Sequence, residues 1–469
     1  MLGRDLHITC ICTASVLVSL SFYSLFVRSV EGKGVGWVGV GVGLRLGAGE
    51  QRERERHTHT HQHTDCPLES MLLRSALKLT KNLSWMMGAS KSKPKLSYPF
   101  LEDVATISAV KDSKVLFILR GLPGSDKSTI ANNILKKYES LSVVLSAESH
   151  QISPFESSTE GSDERYAKLD EEIQRELKAE KGVVVVDDTH HTRKRLNYLF
   201  DSAKEFCYTV VIVQANNECG NQCSALASKN HPKASKDQLE AMKDHLELPL
   251  IPYYFGWFLT RVSAKQLDQT GEHFLEQLAE RREFLEEFVK YIDSDAKENF
   301  NLQDYFQKKP SMLHCTTKFC NFGQEPNCET YIKTKDIEEQ LSKAFHLKIT
   351  DLFITPRTVG ARVVLTEKQL CLWPTDENES NDKEGMKLPL GSRSHITLAC
   401  APHIKAVQTG RDLLEFLQLE ACKAQPSFHT PVEGGELLCY DEGRWILHLS
   451  KHIEVKSIFS GSYHNKTAN

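Results

Sequence analysis

The sequence lacks a marked excess of charge of either sign. Its 58 lysines and arginines oppose 62 aspartates and glutamates, which gives a formal net charge of −4 and a pI near 6.6. This balance excludes a protein whose whole surface is basic and attracts nucleic acid. Nucleic acid would therefore have to be held at a local site.

Disulfide frameworks and metal-ligand clusters are lacking as well. The 13 cysteines are an odd number without framework spacing, which indicates a reducing compartment and free thiols. Cys219 and Cys223 have no second pair at the spacing of a zinc finger. No carboxylate cluster accompanies the histidine motifs described below, so we expect no metal in that part of the chain.

Residues 1–95 differ from the rest and are predicted to be an extension. The apolar run from Ile8 to Val27 is long enough for a signal anchor or a membrane helix. Residues 52–56 and 57–61 then alternate two residue types, as translated (GA)n and (CA)n microsatellites do. We therefore interpret much of residues 1–70 as untranslated sequence read as protein, with a genuine membrane anchor as the alternative.

Two internal methionines offer later starts. The basic, acid-free stretch after Met71 weakly resembles a mitochondrial presequence and would give a mitochondrial isoform. A start at Met87 would make Gly88 a lipidation site, an N-myristoylation acceptor with Ser92 at the required place. Three nearby lysines would supply the second, electrostatic membrane signal. A disordered basic linker is the alternative.

Residues 96–247 carry the pattern of a P-loop domain. The strand-like segment Val115–Arg120 is followed by a glycine-rich turn and then by a predicted helix that reaches about Tyr138. Backbone N–H groups of such a loop point at phosphate oxygens. The lysine reaches the β- and γ-phosphates, the serine binds magnesium, and acids ending a buried neighbouring strand orient the ion. The predicted ATP- and magnesium-binding residues are Gly121, Gly124, Lys127, Ser128, Thr129, Asp187 and Asp188.

Asp126 departs from this pattern, because it occupies the position before the lysine where a P-loop usually has glycine. Its carboxylate would face the phosphates, pair with Lys127 instead, and obstruct the close backbone approach that glycine allows. We therefore expect nucleotide binding to be weakened or lost. Glu148, which follows the strand-like Ser142–Ser146, is a candidate base for a kinase reaction.

Two His-x-Thr motifs stand in the second half of the chain, at His314 and Thr316 and at His395 and Thr397, each within a β-type run. Residues two apart in a strand share a face, so each histidine points the same way as its threonine, and Arg393 joins the second pair. A single motif of this kind is common, and its histidine is usually structural. Two matching motifs in one domain-sized segment indicate a site.

These residue types suit the opening of a cyclic phosphate by water. One histidine takes a proton from the water and the other gives a proton to the leaving ribose oxygen, both near neutral pH. The threonine hydroxyls can donate hydrogen bonds to phosphate oxygens whose charge grows in the transition state. Arg393 can add a charge-assisted contact.

The same residues resemble a known family. The two motifs are those of the two-histidine (2H) phosphoesterases, and between about Lys93 and Tyr463 the chain resembles the vertebrate cyclic-nucleotide phosphodiesterases of myelin, in a fish form. The segments that carry this resemblance are Arg120–Gly124, Tyr254–Phe258, His314–Cys320, Gly391–Thr397 and Gly443–Trp445.

The resemblance implies an α/β and α+β chain, in which a P-loop polynucleotide-kinase-like domain precedes a two-lobed 2H phosphoesterase domain at 248–463 and a tail at 464–469. It implies hydrolysis of 2′,3′-cyclic nucleotides, or of RNA 2′,3′-cyclic phosphate ends, to 2′-phosphates, with no cofactor required. Phe319 and Tyr254 would help to shape the substrate pocket. It also implies a cytoplasmic protein, peripheral on myelin and on the inner face of the plasma membrane, that associates with RNA, tubulin and actin.

Further strands are predicted at 357–365 and 444–450, with a covering helix at 405–419 and an exposed acidic loop at 376–387. The prenylated cysteine common in the family is lacking at the end of the sequence, so Gly88 or the extension would have to provide membrane attachment. Healing of RNA ends by kinase and phosphodiesterase together is a second interpretation, which Asp126 disfavours. A third is a membrane–cytoskeleton and RNA-binding adaptor in which catalysis is secondary.

Overall fold

The computed structural model describes residues 26–29, 36–39, 98–155, 164–215, 236–298, 300–375 and 388–464. By its internal contacts the chain divides into two units, 1–91 and 92–469. The first unit contains an antiparallel pair, β1 (Phe26–Ser29) and β2 (Gly36–Gly39). Most of the apolar run that ends at Val27, both internal methionines, Gly88 and the predicted loop at 376–387 lie outside the described residues. Within the described ranges, no helix combines the length and apolar character needed to cross a membrane.

The second unit begins with a parallel sheet of four strands. They are β3 (Val115–Arg120), β4 (Ser142–Ser146), β5 (Val183–Asp187) and β6 (Thr209–Gln214), in the order β4-β5-β3-β6. Every residue of β3 and β5 is buried. This burial on both faces explains why these strands appear in the sequence as continuous apolar runs. The predicted P-loop architecture is confirmed.

Helices cover both faces of this sheet. On one face, Val115, Phe117 and Leu119 pack against the apolar residues of the helix Lys127–Tyr138. On the other face, the alternate strand residues pack against the helices Glu164–Lys178 and Arg193–Glu205. The remaining helices of this half are Pro99–Glu102, Val104–Lys111 and Lys236–Glu247, with 3₁₀ turns at Glu139–Leu141 and Glu148–His150.

An antiparallel sheet of eight strands follows. Its strands are β7 (Tyr254–Leu259), β8 (His314–Phe319), β9 (Ala344–Ile354), β10 (Thr358–Val364), β11 (His395–Cys400), β12 (Phe428–Val432), β13 (Gly435–Cys439) and β14 (Trp445–Ser462). The order is β11-β10-β9-β14-β13-β12, and β7 pairs with both β14 and β8. The strands predicted at 357–365 and around both histidines are therefore confirmed.

The long strand β14 connects the two parts of the sheet. The sequence predicts a strand only at 444–450, but β14 continues to Ser462 across a register shift between His448 and Ile453. Before this shift β14 pairs with β13, and after it β14 pairs with β7. The two histidine strands therefore lie at different ends of the strand order, β8 beyond β7 and β11 beyond β9 and β10.

Different helices cover the two faces of this sheet. The helix Val407–Ala421, close to the predicted 405–419, packs Leu413 and Phe416 against Phe353 and Ile446. The helix Arg261–Ala279 packs into the larger core on the other side, around Trp257 and Trp445. The shorter elements are the helices Arg282–Phe288, Ser294–Lys297, Leu302–Tyr305, Cys328–Ile332, Lys335–Gln340 and Glu367–Leu370 and the 3₁₀ turns Val289–Tyr291 and Asn321–Gly323.

The end of β14 joins the two halves of the second unit. The Lys456 ammonium lies 2.8 Å from the Asp112 carboxylate, and Ile458 packs into the core of the parallel sheet. Ser460 donates a hydrogen bond to the Val210 carbonyl at 2.5 Å. The Tyr463 ring stacks on Phe200 with ring centroids 5.0 Å apart. Residues 92–469 thus form one compact unit, and the boundary at 247/248 stays a prediction.

Candidate active site

Both motif histidines make the same hydrogen bond. The Nδ1 atom of His314 lies 2.8 Å from the Met312 carbonyl, and that of His395 lies 2.7 Å from the Arg393 carbonyl. A carbonyl oxygen can only accept, so each Nδ1 carries the proton and donates it. In each neutral ring, Nε2 is therefore left with its lone pair. This tautomer is the one that a general base needs at Nε2.

Aromatic rings support His314. The Tyr254 ring stacks on it with centroids 4.7 Å apart and an interplanar angle of 17°, and the Phe258 ring stacks at 5.6 Å and 28°. Burial among these groups lowers the pKa of His314 below its ordinary value. Tyr254, predicted to line the pocket, is thus a direct support of the imidazole, and burial raises the pKa of its hydroxyl to about 12. Sequence reasoning missed Phe258.

His395 lies in a different setting. Burial lowers its pKa to about 4, and the Arg393 guanidinium acts in the same direction. Burial also lowers the pKa of Arg393 itself. The first turn of the helix Val407–Ala421 lies against the ring of His395, in the place that aromatic rings take beside His314.

Each threonine lies opposite a glycine. In the β7–β8 ladder Thr316 faces Gly256, and in the β10–β11 ladder Thr397 faces Gly360. In both ladders the register shifts beside this pair, which is the mark of a β-bulge. This repeated arrangement was not predicted from the sequence, although an isolated glycine inside a strand often marks a bulge.

The bulge in β8 places Phe319 on the histidine face. By simple alternation Phe319, five residues after His314, would point to the opposite face. The ladder instead pairs His314 with Phe258 and Phe319 with Tyr254, and residues opposite each other in an antiparallel pair share a face. Phe319 is 40% exposed, with its ring edge-on to Tyr253 at 5.0 Å. The structure therefore brings the predicted pocket residues to the histidine face.

The two histidine strands also meet directly. The Cys315 sulfur accepts a hydrogen bond from the His395 backbone N–H, and burial raises the pKa of this thiol to about 12. The charge of His314 acts on the His395 ring. The structure thus brings all seven catalytic-domain residues predicted from the sequence to two adjacent strands and their neighbours: His314, Thr316, Phe319, Tyr254, Arg393, His395 and Thr397.

The predicted P-loop residues gather at the carboxyl ends of β3 and β5. The Lys127 ammonium donates to the carbonyls of Gly121 and Leu122 at 3.1 and 2.8 Å. Ser128 forms a side-chain hydrogen bond with Asp187, whose pKa is raised by burial. Glu148 lies close enough for its charge to act on Asp187. These contacts bring the lysine and the serine of the loop next to the acid that ends β5.

The remaining predicted residues occupy the same edge. Gly124 has a left-handed φ of 76°, and Thr129 belongs to the exposed side of the helix that follows the loop. Asp188 accepts hydrogen bonds from the Tyr166 hydroxyl at 3.1 Å and from the Thr189 backbone N–H at 2.6 Å. Across the described ranges, no group of three or more His, Cys, Asp or Glu side chains is arranged to hold a metal ion.

Asp126 adopts a left-handed conformation with φ 65° and ψ 21°. This is the backbone geometry that glycine adopts without strain and that aspartate tolerates better than most residues. The side chain of Asp126 is exposed, and its charge acts on Lys127, whose ammonium donates to two carbonyls. The loop thus keeps its fold around the unusual residue.

Arg120, part of the segment that carried the resemblance, has a structural contact. Its buried guanidinium donates to the carbonyls of His245 and Leu246 at 2.9 and 2.7 Å, at the end of the helix Lys236–Glu247. A cation there satisfies orphan carbonyls and complements the helix dipole. Arg120 therefore ties this helix to the P-loop sheet.

Comparisons with known proteins agree with both halves. The family described as 2′,3′-cyclic nucleotide 3′-phosphodiesterase matches residues 251–469, and an AAA domain family matches residues 116–249. The chain is 42% identical over 376 residues to the 2′,3′-cyclic-nucleotide 3′-phosphodiesterases of Mus musculus and Rattus norvegicus. It is 42% identical over 381 residues to that of Pongo abelii. Each match covers 80% of this chain and 89% of the relative.

Proposed function

The chain belongs to the 2′,3′-cyclic-nucleotide 3′-phosphodiesterase family, and from that premise we propose that His314 and His395 are its general acid–base pair. Its activity is the hydrolysis of 2′,3′-cyclic nucleotides at the 3′-phosphoester bond. The matching hydrogen bonds on the two rings support the proposal most directly, because each leaves Nε2 as the nitrogen that can exchange a proton with substrate.

The reaction balances with two histidines. One neutral Nε2 takes a proton from water as the water oxygen attacks phosphorus. The bond between phosphorus and the ribose 3′-oxygen breaks, and the other ring, which enters the step protonated at both nitrogens, gives its Nε2 proton to that oxygen. The first ring leaves the step protonated, so exchange of a proton with solvent returns the pair to its starting state. The products are a 2′-phosphate and a free 3′-hydroxyl. Each proton transfer contributes a factor of about 10²–10⁴ to the rate.

Thr316, Thr397 and Arg393 are proposed to bind the phosphate. Both hydroxyls lie on the histidine faces of their strands, two residues from the imidazoles. Hydrogen bonds and positive charge at the non-bridging oxygens stabilise the transition state most, because negative charge grows there. We propose that Phe319 stacks on the base, since its exposed ring shares that face.

The decisive measurement is hydrolysis of a 2′,3′-cyclic mononucleotide by the full chain, with parent, His314→Ala and His395→Ala compared. We expect 2′-monophosphate from the parent and a loss of at least about 10²-fold in kcat from each variant. His429→Ala is the matched control, because this exposed histidine pairs with Glu436 at 2.7 Å on the β12–β13 hairpin. Parental activity in a folded His314 or His395 variant would disprove the acid–base pair.

The P-loop half is proposed to bind ATP and magnesium weakly. The supporting observation is that Lys127 and Ser128 lie beside Asp187 at the carboxyl ends of β3 and β5, whereas Asp126 adds a carboxylate to the loop. We expect Asp126→Gly to tighten ATP–magnesium binding in calorimetric titration. An Asp126→Asn variant separates charge from backbone geometry, because it removes the charge and keeps a side chain. Equal affinity in all three proteins would contradict the inhibitory role of Asp126.

We also propose that the protein attaches peripherally to cytoplasmic membrane faces through Gly88 and the lysines that follow it. RNA ends are proposed as further substrates, and RNA and cytoskeletal proteins as partners. The supporting observation is the myristoylation-type sequence that follows Met87. Intact-mass analysis of protein from cells, compared with Gly88→Ala, tests the lipid. An unmodified N-terminus in both proteins would end the lipidation proposal.

A further inference from the structure

Gly410 is an unexpected residue for its position in the helix Val407–Ala421. Glycine in a helix costs backbone entropy that alanine does not. A Cβ added to Gly410 would lie 2.8 Å from Cε1 of His395, 3.1 Å from its Nδ1 and 3.1 Å from Cγ of Arg393. The imidazole therefore occupies the space that a side chain at position 410 would fill.

The neighbouring residue of the same turn contacts the threonine of the motif. Thr409 is fully buried, and the Thr397 hydroxyl donates to the Thr409 hydroxyl oxygen at 3.0 Å. A second acceptor, the Ala406 carbonyl, lies 3.4 Å from the Thr397 hydroxyl. One helical turn thus contacts both His395 and Thr397. When the Thr397 proton turns towards a phosphate oxygen, the Thr409 hydroxyl can donate to Thr397 in its place.

A buried carboxylate holds this turn against the sheet. Asp412 is fully buried and accepts hydrogen bonds from the Thr355 and Thr358 hydroxyls at 2.7 and 2.6 Å. It also pairs with the Arg357 guanidinium at 2.7 Å. Thr358 begins β10, the strand that pairs with β11 and so with His395. Because Asp412 belongs to the helix and its hydrogen-bond partners belong to the sheet, the turn cannot move away from the imidazole without breaking these buried hydrogen bonds.

We propose that the first turn of this helix, through Gly410 and Thr409, positions His395 and Thr397 for the transfer of the proton and the binding of phosphate. The proposal rests on the proposed function of His395. Gly410 is a positioning residue that acts through van der Waals contact with the imidazole and with the stem of Arg393. Helix formation by itself would favour alanine at this position, because alanine has the higher helix propensity.

The test compares the full-length parent with Gly410→Ala in the hydrolysis of a 2′,3′-cyclic mononucleotide. We expect kcat to fall by about 10-fold or more, since small misplacements of a catalytic group are costly, while KM stays within about 3-fold. The limb of the pH–rate profile set by His395 should move towards the ordinary histidine pKa, because a displaced ring is less desolvated. The thermal midpoint should change little, because the helix propensity gained by alanine offsets part of the cost of overpacking.

Gly182→Ala is the matched control. It adds the same methyl group in the P-loop half, where the nearest heavy atom would be 3.6 Å away, and should keep parental kcat. Thr409→Val and Thr409→Ser give a second test that is independent of any folding defect at position 410. Valine keeps the shape but cannot hydrogen bond to Thr397, so we expect a several-fold loss of kcat; serine should restore most of it.

The outcomes separate the two proposals. Parental kcat and an unchanged pH profile in Gly410→Ala would overturn the positioning role, provided that His395→Ala is inactive. Activity in His395→Ala would overturn the proposed function itself. If Gly410→Ala fails to fold, equal kcat values in the valine and serine variants of Thr409 would overturn the positioning role on their own.

Discussion

The two histidine strands, β8 and β11, are alike in their backbone and different in their support. In both, Nδ1 donates to the carbonyl two residues earlier, and the threonine faces a glycine beside a register shift. The short motif together with its bulge therefore determines the tautomer of the ring and the face on which it lies. The hydrogen bond and the bulge depend only on the histidine strand and on the strand paired with it.

The surroundings of the two rings differ. Two aromatic rings of β7 stack on His314, whereas a glycine in a helix backbone lies against His395. Stacked rings hold an imidazole by dispersion and electrostatic complementarity, and a packed backbone holds it by excluding other positions. Two histidines proposed for equivalent roles are therefore held by unrelated contacts.

The largest expected effect tests whether the two histidines act in one step. Each of His314→Ala and His395→Ala should lower kcat by about 10²–10⁴-fold. The double variant should lose little more than the worse single variant, because groups that act as a unit are strongly non-additive. The kcat values for a 2′,3′-cyclic mononucleotide check this. A double variant that loses the product of the two single effects would show that the histidines act independently.

The second effect concerns stability. His395 has a pKa of about 4 in the folded protein against an ordinary value of 6.5, so the unfolded chain binds more protons between these values. The free energy of unfolding should therefore fall as the pH drops from about 6.5 to about 4, by up to about 3 kcal/mol from this residue. His395→Gln should show a shallower fall in urea unfolding at a series of pH values. A slope equal to that of the parent would contradict the burial of a neutral imidazole, and His429→Gln is the control.

The third effect compares the two strand glycines. An alanine Cβ at Gly256 would lie 2.6 Å from the Cys315 carbonyl oxygen, whereas at Gly360 it would meet the Phe353 ring at 2.4 Å. Overpacking of this kind costs about 1–3 kcal/mol. We expect the larger loss of unfolding free energy for Gly256→Ala, because backbone yields less than a side chain does. Equal or reversed losses in urea denaturation would contradict this order.

The smallest effect separates the supports of the two rings. Tyr254→Leu and Phe258→Leu remove the stacking on His314, and each should lower kcat by about tenfold, which corresponds to about 1.4 kcal/mol. The limb of the pH–rate profile that reports His314 should shift, while the limb of His395 stays. Movement of both limbs would show that the two rings share their support. Phe428→Leu, a partly buried aromatic residue on β12, is the control.

Much of the architecture could be predicted because it follows local patterns. β3 and β5 are buried on both faces and therefore appear as unbroken apolar runs. The histidine strands were identified by residue type and by two-residue spacing. The length of β14 could not be predicted, since its register shift lies among polar residues that resemble a loop. Alternation also fails at Phe319, because the bulge in β8 depends on pairing with β7.

The sequence by itself determined the proposed chemistry: which side chains are candidates to exchange protons or to bind phosphate, and the strands on which they lie. It did so because residue type and spacing are local properties. Only the tertiary structure decided how each imidazole is held. Tyr254 lies far along the chain from His314, so the two rings meet only when β7 packs beside β8. Gly410 belongs to a separate element from His395, so its contact arises only when the helix Val407–Ala421 packs into place.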